Sequence, residues 1–426
     1  MTEDRVVIVG GGLTGLAAAR ALEAAGETCL ILCAGAEVGG RVRTDAHDTE
    51  RGTYLLDRGF QVYLTAYEEA GRTLDLEALD LRAFYPGALV RFDGSFHRVA
   101  DPFRKPLDAA KSFATPVASL TDKARLGLLD QRIRRSTTEA IWQRPERPTI
   151  DALRDAGFGD AAIERFFRPF FGGVFFDRSL QTSSRMFEFT YKNFATGRTA
   201  VPAQGMGAIP KQLASTLASE IRLDCPATRV DPETGAVLMP SGETINAERV
   251  ILATDANAAA QLLGQKPTVP WNRTATVYYD ADLDTVASLG DEAILVLDGD
   301  GTGPANHLCV LSAASPAYAP AGRALVCANV VDLGALNRHD DAALDLAVRS
   351  QLEAWLGEGV RSWSTLATYC IPHALPRRVP GERGLDQPDT MPRLSPRVVQ
   401  AGDHLTHGSI EGAMIAGRLA AEKLLA

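Results

Sequence analysis

The chain has 426 residues, more than one hydrophobic core usually organises, so two domains are expected. Apolar residues make up 46% and charged residues 23%, which excludes a disordered or fibrous chain, and a net charge of −9 argues against nucleic-acid binding. Six scattered cysteines with no Cys-x-x-Cys pair give neither a disulfide framework nor a structural metal site, and reduced thiols fit a cytoplasmic protein.

Met1 to Arg5 lead directly into Val6-Val7-Ile8-Val9, so no signal peptide is expected. No apolar run approaches the roughly 18–20 residues of a membrane span. Val6–Val9 reads as a short buried strand. Gly10-Gly11-Gly12-Leu13-Thr14-Gly15 follows, and then the helical run from Leu16. A G-x-G-x-x-G between a strand and a helix is a dinucleotide-binding signature. Gly10 permits the turn, Gly12 lets a pyrophosphate approach, and Gly15 lets helix and strand pack closely. Leu13 and Thr14 open the helix, whose N-terminus favours an anion.

Gly26 ends that helix, and Thr28–Leu32 reads as a second parallel strand, followed by Gly39-Gly40-Arg41. Here the sequence resembles the flavin-containing amine oxidase superfamily, with its protoporphyrinogen oxidase and phytoene desaturase relatives. The resemblance implies an α/β fold. A discontinuous Rossmann-like FAD-binding domain would hold residues 1–90, 200–265 and 365–426. A substrate domain with a mixed sheet and helices would hold residues 91–199 and 266–364. It also implies non-covalent FAD, with Gly39 and Gly40 near the phosphates and Arg41 in a charge-assisted contact. The family places a ribose-binding glutamate six residues before Gly39. That position is Cys33, a weak acceptor, and Glu37 is the nearby carboxylate.

The resemblance continues along the chain. Asp57-Arg58-Gly59-Phe60-Gln61 looks like the segment leading towards the flavin ring, and the loop around Met206 looks like the one that re-enters the cofactor domain. The backbone at Val230 corresponds to an adenine contact, and Ala253-Thr254 to the turn that closes the domain. At the C-terminus, Gly402-Asp403 ends an apolar strand, and Ser409, Ile410, Gly412 and Ala413 begin a helix. The resemblance implies that Asp403 bonds the ribityl or phosphate region and that this helix points at the pyrimidine edge of the flavin. A helix N-terminus stabilises an anion there.

Residues 98–198 read as mostly helical with proline breaks. Residues 98–147 hold 11 Lys/Arg against 6 Asp/Glu, so this stretch is either a solvated face or a peripheral contact with anionic lipid. Six of the 16 phenylalanines fall between Phe166 and Phe176. They are either core packing or the wall of an apolar tunnel, and Phe167, Phe170, Phe171 and Phe175 are the candidate substrate contacts. Strands are expected at Arg273–Tyr279, Ala293–Leu297, His307–Ser312, Ala324–Val330 and Ser364–Cys370, with a helix at Asp341–Leu356.

No zinc, Ser/His/Asp or Walker motif is present. His47, His97, His307, His339 and His373 are scattered. His404 and His407 sit between Gly402-Asp403 and the C-terminal helix, and they are the candidate catalytic residues. The position before the C-terminal Gly-Ala carries no aromatic residue, unlike the amine-guiding pair of many amine oxidases. The expected activity is therefore hydride transfer from a C–H bond of a hydrophobic molecule, isoprenoid-, carotenoid- or porphyrinogen-like, to flavin N5. An amine oxidase, a non-redox flavin isomerase and a binding protein on a decayed FAD scaffold remain alternatives. The electron acceptor, dioxygen or a quinone, and the oligomeric state stay open.

Overall fold

The apolar run at the N-terminus forms the central strand of a seven-stranded sheet. In the computed structural model, which describes residues 2–112, 114–331, 340–381 and 391–426, Thr2–Val9 runs parallel to Cys29–Leu32 on one side and Thr244–Leu252 on the other. Ile8 faces Ile31 and Ile251, and Val7 faces Leu30 and Val250. All six side chains are buried, as the continuous apolar pattern of a two-sided strand requires. Glu220–Arg222 extends the sheet beyond Cys29–Leu32, and Val398–Gln400 pairs parallel with Thr244–Leu252. Ala236–Leu238 and Arg229–Val230 complete it as antiparallel strands. Three distant stretches of chain thus share one sheet.

Helix Leu13–Ala24 is buried continuously from Leu13 to Ala19. It packs on the C-terminal helix Ile410–Leu425 at very short range, because Gly417 faces Thr14: a Cβ on Gly417 would drive into the Thr14 carbonyl oxygen.

A second seven-stranded sheet runs Ser364–Pro376, Trp271–Asp282, Arg323–Val331, Ala305–Val310, Leu295–Asp298, Gly87–Phe92, Ser95–Ala100. Its neighbours are antiparallel except Leu295–Asp298 with Gly87–Phe92. Helix Asp341–Leu356 contributes Leu344, Val348 and Leu352 to a core with Val277, Tyr279, Leu308 and Val326. The strands expected from sequence form here with shifted ends. Leu311 and Ser312 leave the strand as a short helical turn, Leu311–Ala314. The segments 87–90 and 365–376, which the resemblance assigns to the cofactor domain, pair into this second sheet instead. Motif spacing places a turn, but it does not say which sheet edge the chain returns to.

Residues 106–196 carry the helices expected there, with Pro106–Ser112, Leu120–Arg134 and Ser184–Thr196 among them. Residues 98–100 belong instead to a β-hairpin. The phenylalanine segment is a π-helical turn, Ile163–Phe167, running into helix Arg168–Phe175, and Phe176 ends it in the left-handed region at φ 53°. His339 lies outside the described residues.

Candidate functional site

The glycine loop between the first strand and helix is shaped by backbone contacts. Gly10 sits at φ 119°, and a Cβ there would lie 2.5 Å from the Ala253 carbonyl oxygen, so only glycine fits. Ala253 in turn donates its N–H to Val9, which brings the Ala253-Thr254 turn against this loop. At Gly15 a Cβ would strike the Gly10 carbonyl. Gly12 is different: a Cβ there would meet only the Gly39 carbonyl oxygen at 3.9 Å, so the front of the loop is open. Helix Leu13–Ala24 begins with no side-chain cap and no acidic residue in its first turn. By contrast, Ser119, Asp255 and Ser409 cap their helices. The N–H groups of that first turn therefore have no capping side chain.

The Gly39–Arg41 segment closes over this loop. Gly39 donates its N–H to the Gly11 carbonyl at 2.8 Å and bridges to Gly12. Arg41 reaches across the sequence to Asp403 at 2.6 Å and to the Ala374 carbonyl at 3.2 Å, with its guanidinium 5.2 Å from the Trp271 ring centre. Burial alone would raise the Asp403 carboxyl, but the charge and hydrogen bond of Arg41 outweigh it and hold it below the ordinary carboxylate range. Cys33, just after its strand, lies against the same loop, since a Cβ on Gly11 would come 2.7 Å from the Cys33 Cβ. Its thiol donates to the Glu37 carbonyl at 3.4 Å, while the Glu37 carboxylate lies 3.7 Å from Lys211.

Asp57 ties three segments together. Its buried carboxylate accepts from Thr44 at 2.5 Å, from Tyr318 at 2.8 Å and from the Met206 N–H at 2.9 Å. Burial pushes its pKa up to about 6 despite those donors. Gly59 lies against Ile371, and the Phe60 ring meets His307 edge-on at 4.9 Å. Val230 is buried in the edge strand, paired with Val237.

At the C-terminus Ser409 caps the last helix by accepting from the Gly412 N–H at 3.0 Å, and Ala413 donates its N–H back to the Ser409 carbonyl. A Cβ on Gly412 would strike the His407 carbonyl. Arg378, which sequence reasoning missed, is buried and donates to the carbonyls of Asp403, His404 and Thr406. It clamps the turn that follows Gly402. Glu411 turns away from the loop. Its carboxylate accepts from the N–H groups of Glu68, Glu69 and Ala70 and caps helix Glu68–Thr73.

The sequence profile of the flavin containing amine oxidoreductases matches residues 13–425. The chain belongs to that family. Its fold is shared with solved structures of low sequence identity. One is a provisionally assigned protoporphyrinogen oxidase from Exiguobacterium sp. 255-15, with 19% identity, 100% of this chain and 99% of that one covered, and a TM-score of 0.73. Another is a putrescine oxidase redesigned in its cofactor binding, with 16% identity, 100% and 99% coverage and a TM-score of 0.71. A reduced UDP-galactopyranose mutase gives 15% identity, 99% and 96% coverage and a TM-score of 0.71.

In this flavin-dependent oxidoreductase the two candidate histidines are buried and neutral at pH 7. Burial pulls His404 down to about 4 and His407 down to about 3. His407 hydrogen-bonds Ser409 at 2.9 Å and packs against a pair of aromatic rings, stacked on Trp142 at 5.6 Å and tilted to Phe189 at 4.4 Å. Trp142 and Phe189 left no local signal, because their partner lies more than two hundred residues away. At Gly408, a narrow cleft with a free volume of about 10 Å³, room for about one water molecule, is lined by Phe175, Met186, Leu375 and Pro376, with Thr182, Asn272 and Arg378 as its polar side chains. Of the phenylalanines named from sequence, Phe175 lines this cleft. Phe167 and Phe171 are packed in the main core, in contact with Phe187, and Phe170 stacks on Phe166. Among the described residues no cluster of His, Cys, Asp and Glu gathers as a metal site, and no helix is long and apolar enough to cross a membrane.

Proposed function

We propose that this chain is an FAD-dependent oxidoreductase that removes hydride from a C–H bond of a hydrophobic small molecule, isoprenoid-, carotenoid- or porphyrinogen-like. The observation that supports this reading is the make-up of the walls at the narrow cleft beside Gly408, which must open to admit a substrate. Its walls are mainly apolar, and among the described residues no acidic side chain lines it and Arg378 is its charged lining residue. Among the described residues a cationic amine would meet no counter-charge there. An apolar substrate gains about 1.5–3 kcal/mol for each side-chain-sized contact it buries.

The residues present fit a dinucleotide. The uncapped first turn at Gly12, Leu13 and Thr14 would hold a pyrophosphate, flanked by Gly39, Gly40 and Arg41. Asp403, kept ionised by Arg41, would accept hydroxyl hydrogen bonds from the ribityl chain. The chain has no cysteine after Cys370, so attachment through a cysteine of the C-terminal helix is ruled out and binding would be non-covalent. When bound, FAD supplies the hydride acceptor and passes electrons to dioxygen or a quinone. The protein orients the substrate against the apolar wall and excludes water around the neutral His407.

The test is anaerobic mixing of the flavin-loaded protein with a porphyrinogen, a polyene and a diamine in turn. Bleaching of the flavin spectrum by an apolar compound supports the proposal. Bleaching by the diamine alone overturns it in favour of amine oxidation, and turnover without bleaching would mark an isomerase. A protein that stays colourless after reconstitution with excess FAD removes the reading altogether.

A further inference from the structure

We propose that the face built by residues 101–135 is a docking surface for an anionic lipid bilayer. Eight large hydrophobic side chains are exposed among the described residues, and four of them fall within this one stretch. Phe103 is 70% exposed, Leu107 81%, Leu120 69% and Leu128 68%. They belong to a turn, to helix Pro106–Ser112 and to helix Leu120–Arg134. On the second helix Leu120, Ala124, Gly127 and Leu128 form one exposed stripe at i, i+4, i+7 and i+8, while Leu129 and Ile133 face the core. Phe103 lies beside that stripe. It shares a surface groove with Gly127, Gln131 and Arg135, and the Arg134 guanidinium is 4.9 Å from its ring centre.

The charges identify the occupant. Among the described positions from 102 to 128, the most exposed charged side chain is Lys111, at 83%. The acidic residues of the stretch are turned inward or already engaged. Asp101 pairs with Arg104 and Arg134, and Asp108 accepts from Tyr85 at 2.8 Å. Asp122 is held in a capping box, and Asp130 accepts from Arg134 at 2.7 Å. The outward rim is carried by Lys111, 4.0 Å from Asp108, by Arg132, which donates to Glu188 at 2.7 Å, and by Arg135, and it is basic on balance, since residues 101–135 hold eight Lys/Arg against four Asp. An apolar centre with a cationic rim matches the acyl boundary and headgroups of an anionic membrane surface. A second copy would oppose one cationic rim to another, which disfavours self-association through this face.

The test uses the full flavin-loaded chain and sedimentation with phosphatidylcholine vesicles, with and without phosphatidylglycerol. The wild-type protein is expected to bind the anionic vesicles and to lose binding as salt rises. The double variant Leu107→Ser and Leu128→Ser should weaken binding by about tenfold or more, with unchanged flavin absorbance and melting temperature, since both side chains point to solvent. The variants Lys111→Glu and Arg135→Glu should weaken binding to anionic vesicles only. Equal sedimentation of wild-type and double variant overturns the proposal, as does equal binding to neutral vesicles. A wild-type dimer that the Leu128→Ser change converts to a monomer would also overturn it, because the face would then join two copies.

Discussion

Replacing Arg41 by methionine removes the charge that links the glycine-rich N-terminal motif to the strand end at Asp403. The Arg41 side chain is 37% exposed and Asp403 only 5%, so the pair is buried at one end. Breaking a fully buried pair costs about 3–5 kcal/mol, and an exposed pair contributes about 0–1 kcal/mol. The expected loss for Arg41→Met lies between, at about 2–3 kcal/mol. For a chain of this length that is a fall in Tm of roughly 2–4 °C. The pH dependence is the sharper readout. With Arg41 present, Asp403 sits below its ordinary range, so its contribution is present above the unfolded carboxylate pKa and is lost as pH falls through the lower folded value. Without Arg41, burial acts with little opposition and raises the folded value. The carboxylate then destabilises the protein as pH rises through it, and the variant should lose more stability at pH 7 than at pH 4. Adding Asp403→Asn removes the buried charge and should recover part of the loss. Thermal melts across pH, with flavin retention after gel filtration, measure both effects. A loss that is the same at both pH values, together with full flavin retention, would refute the idea that this pair holds the site together.

Three further outcomes are expected. Cys33→Glu places a carboxylate beside the glycine loop and should tighten FAD by about 1.5–3 kcal/mol; an unchanged dissociation constant in fluorescence titration would mean that another group already serves the ribose. His407→Leu should improve acid tolerance. The folded histidine stays neutral down to about 3, so its neutral burial is free of cost above the unfolded value near 6.5 and destabilises progressively as pH falls towards 3, by up to about 4–5 kcal/mol. An unshifted acid midpoint in circular dichroism counts against that burial. Phe171→Ala, in the core, should lower stability by about 3–5 kcal/mol, whereas Phe175→Ala should raise the KM of an apolar substrate with flavin content unchanged; the opposite assignment would move the substrate cleft elsewhere.

Much of the backbone around the glycine loop was legible in the residues themselves. Gly10, Gly12 and Gly15 stand between a β-type run and a helical one, and at Gly10 and Gly15 the close backbone packing follows from a missing Cβ at a defined place in the turn. The same is true of Gly39-Gly40 and of the apolar strand that ends at Gly402. These are local facts, set by backbone dihedrals and by side-chain period, so a single sequence carries them. Helix Asp341–Leu356 was legible for the same reason, its ends marked by Asp340 and Gly357.

What the chain does with those pieces was decided only in three dimensions. Arg41 finds Asp403 across more than three hundred residues, Glu411 caps a helix near the other end of the chain, and Trp142 closes on His407. The division of the phenylalanines between core and cleft depends on which face of one helix meets Phe187. The strand at Ser364–Pro376 joins the second sheet because Trp271–Asp282 offers it a complementary antiparallel edge. Phe103 and Leu128 stay outside because none of the described elements covers them. Contacts of this kind leave no periodic trace in sequence, since their energy comes from surfaces that exist only after distant segments have packed.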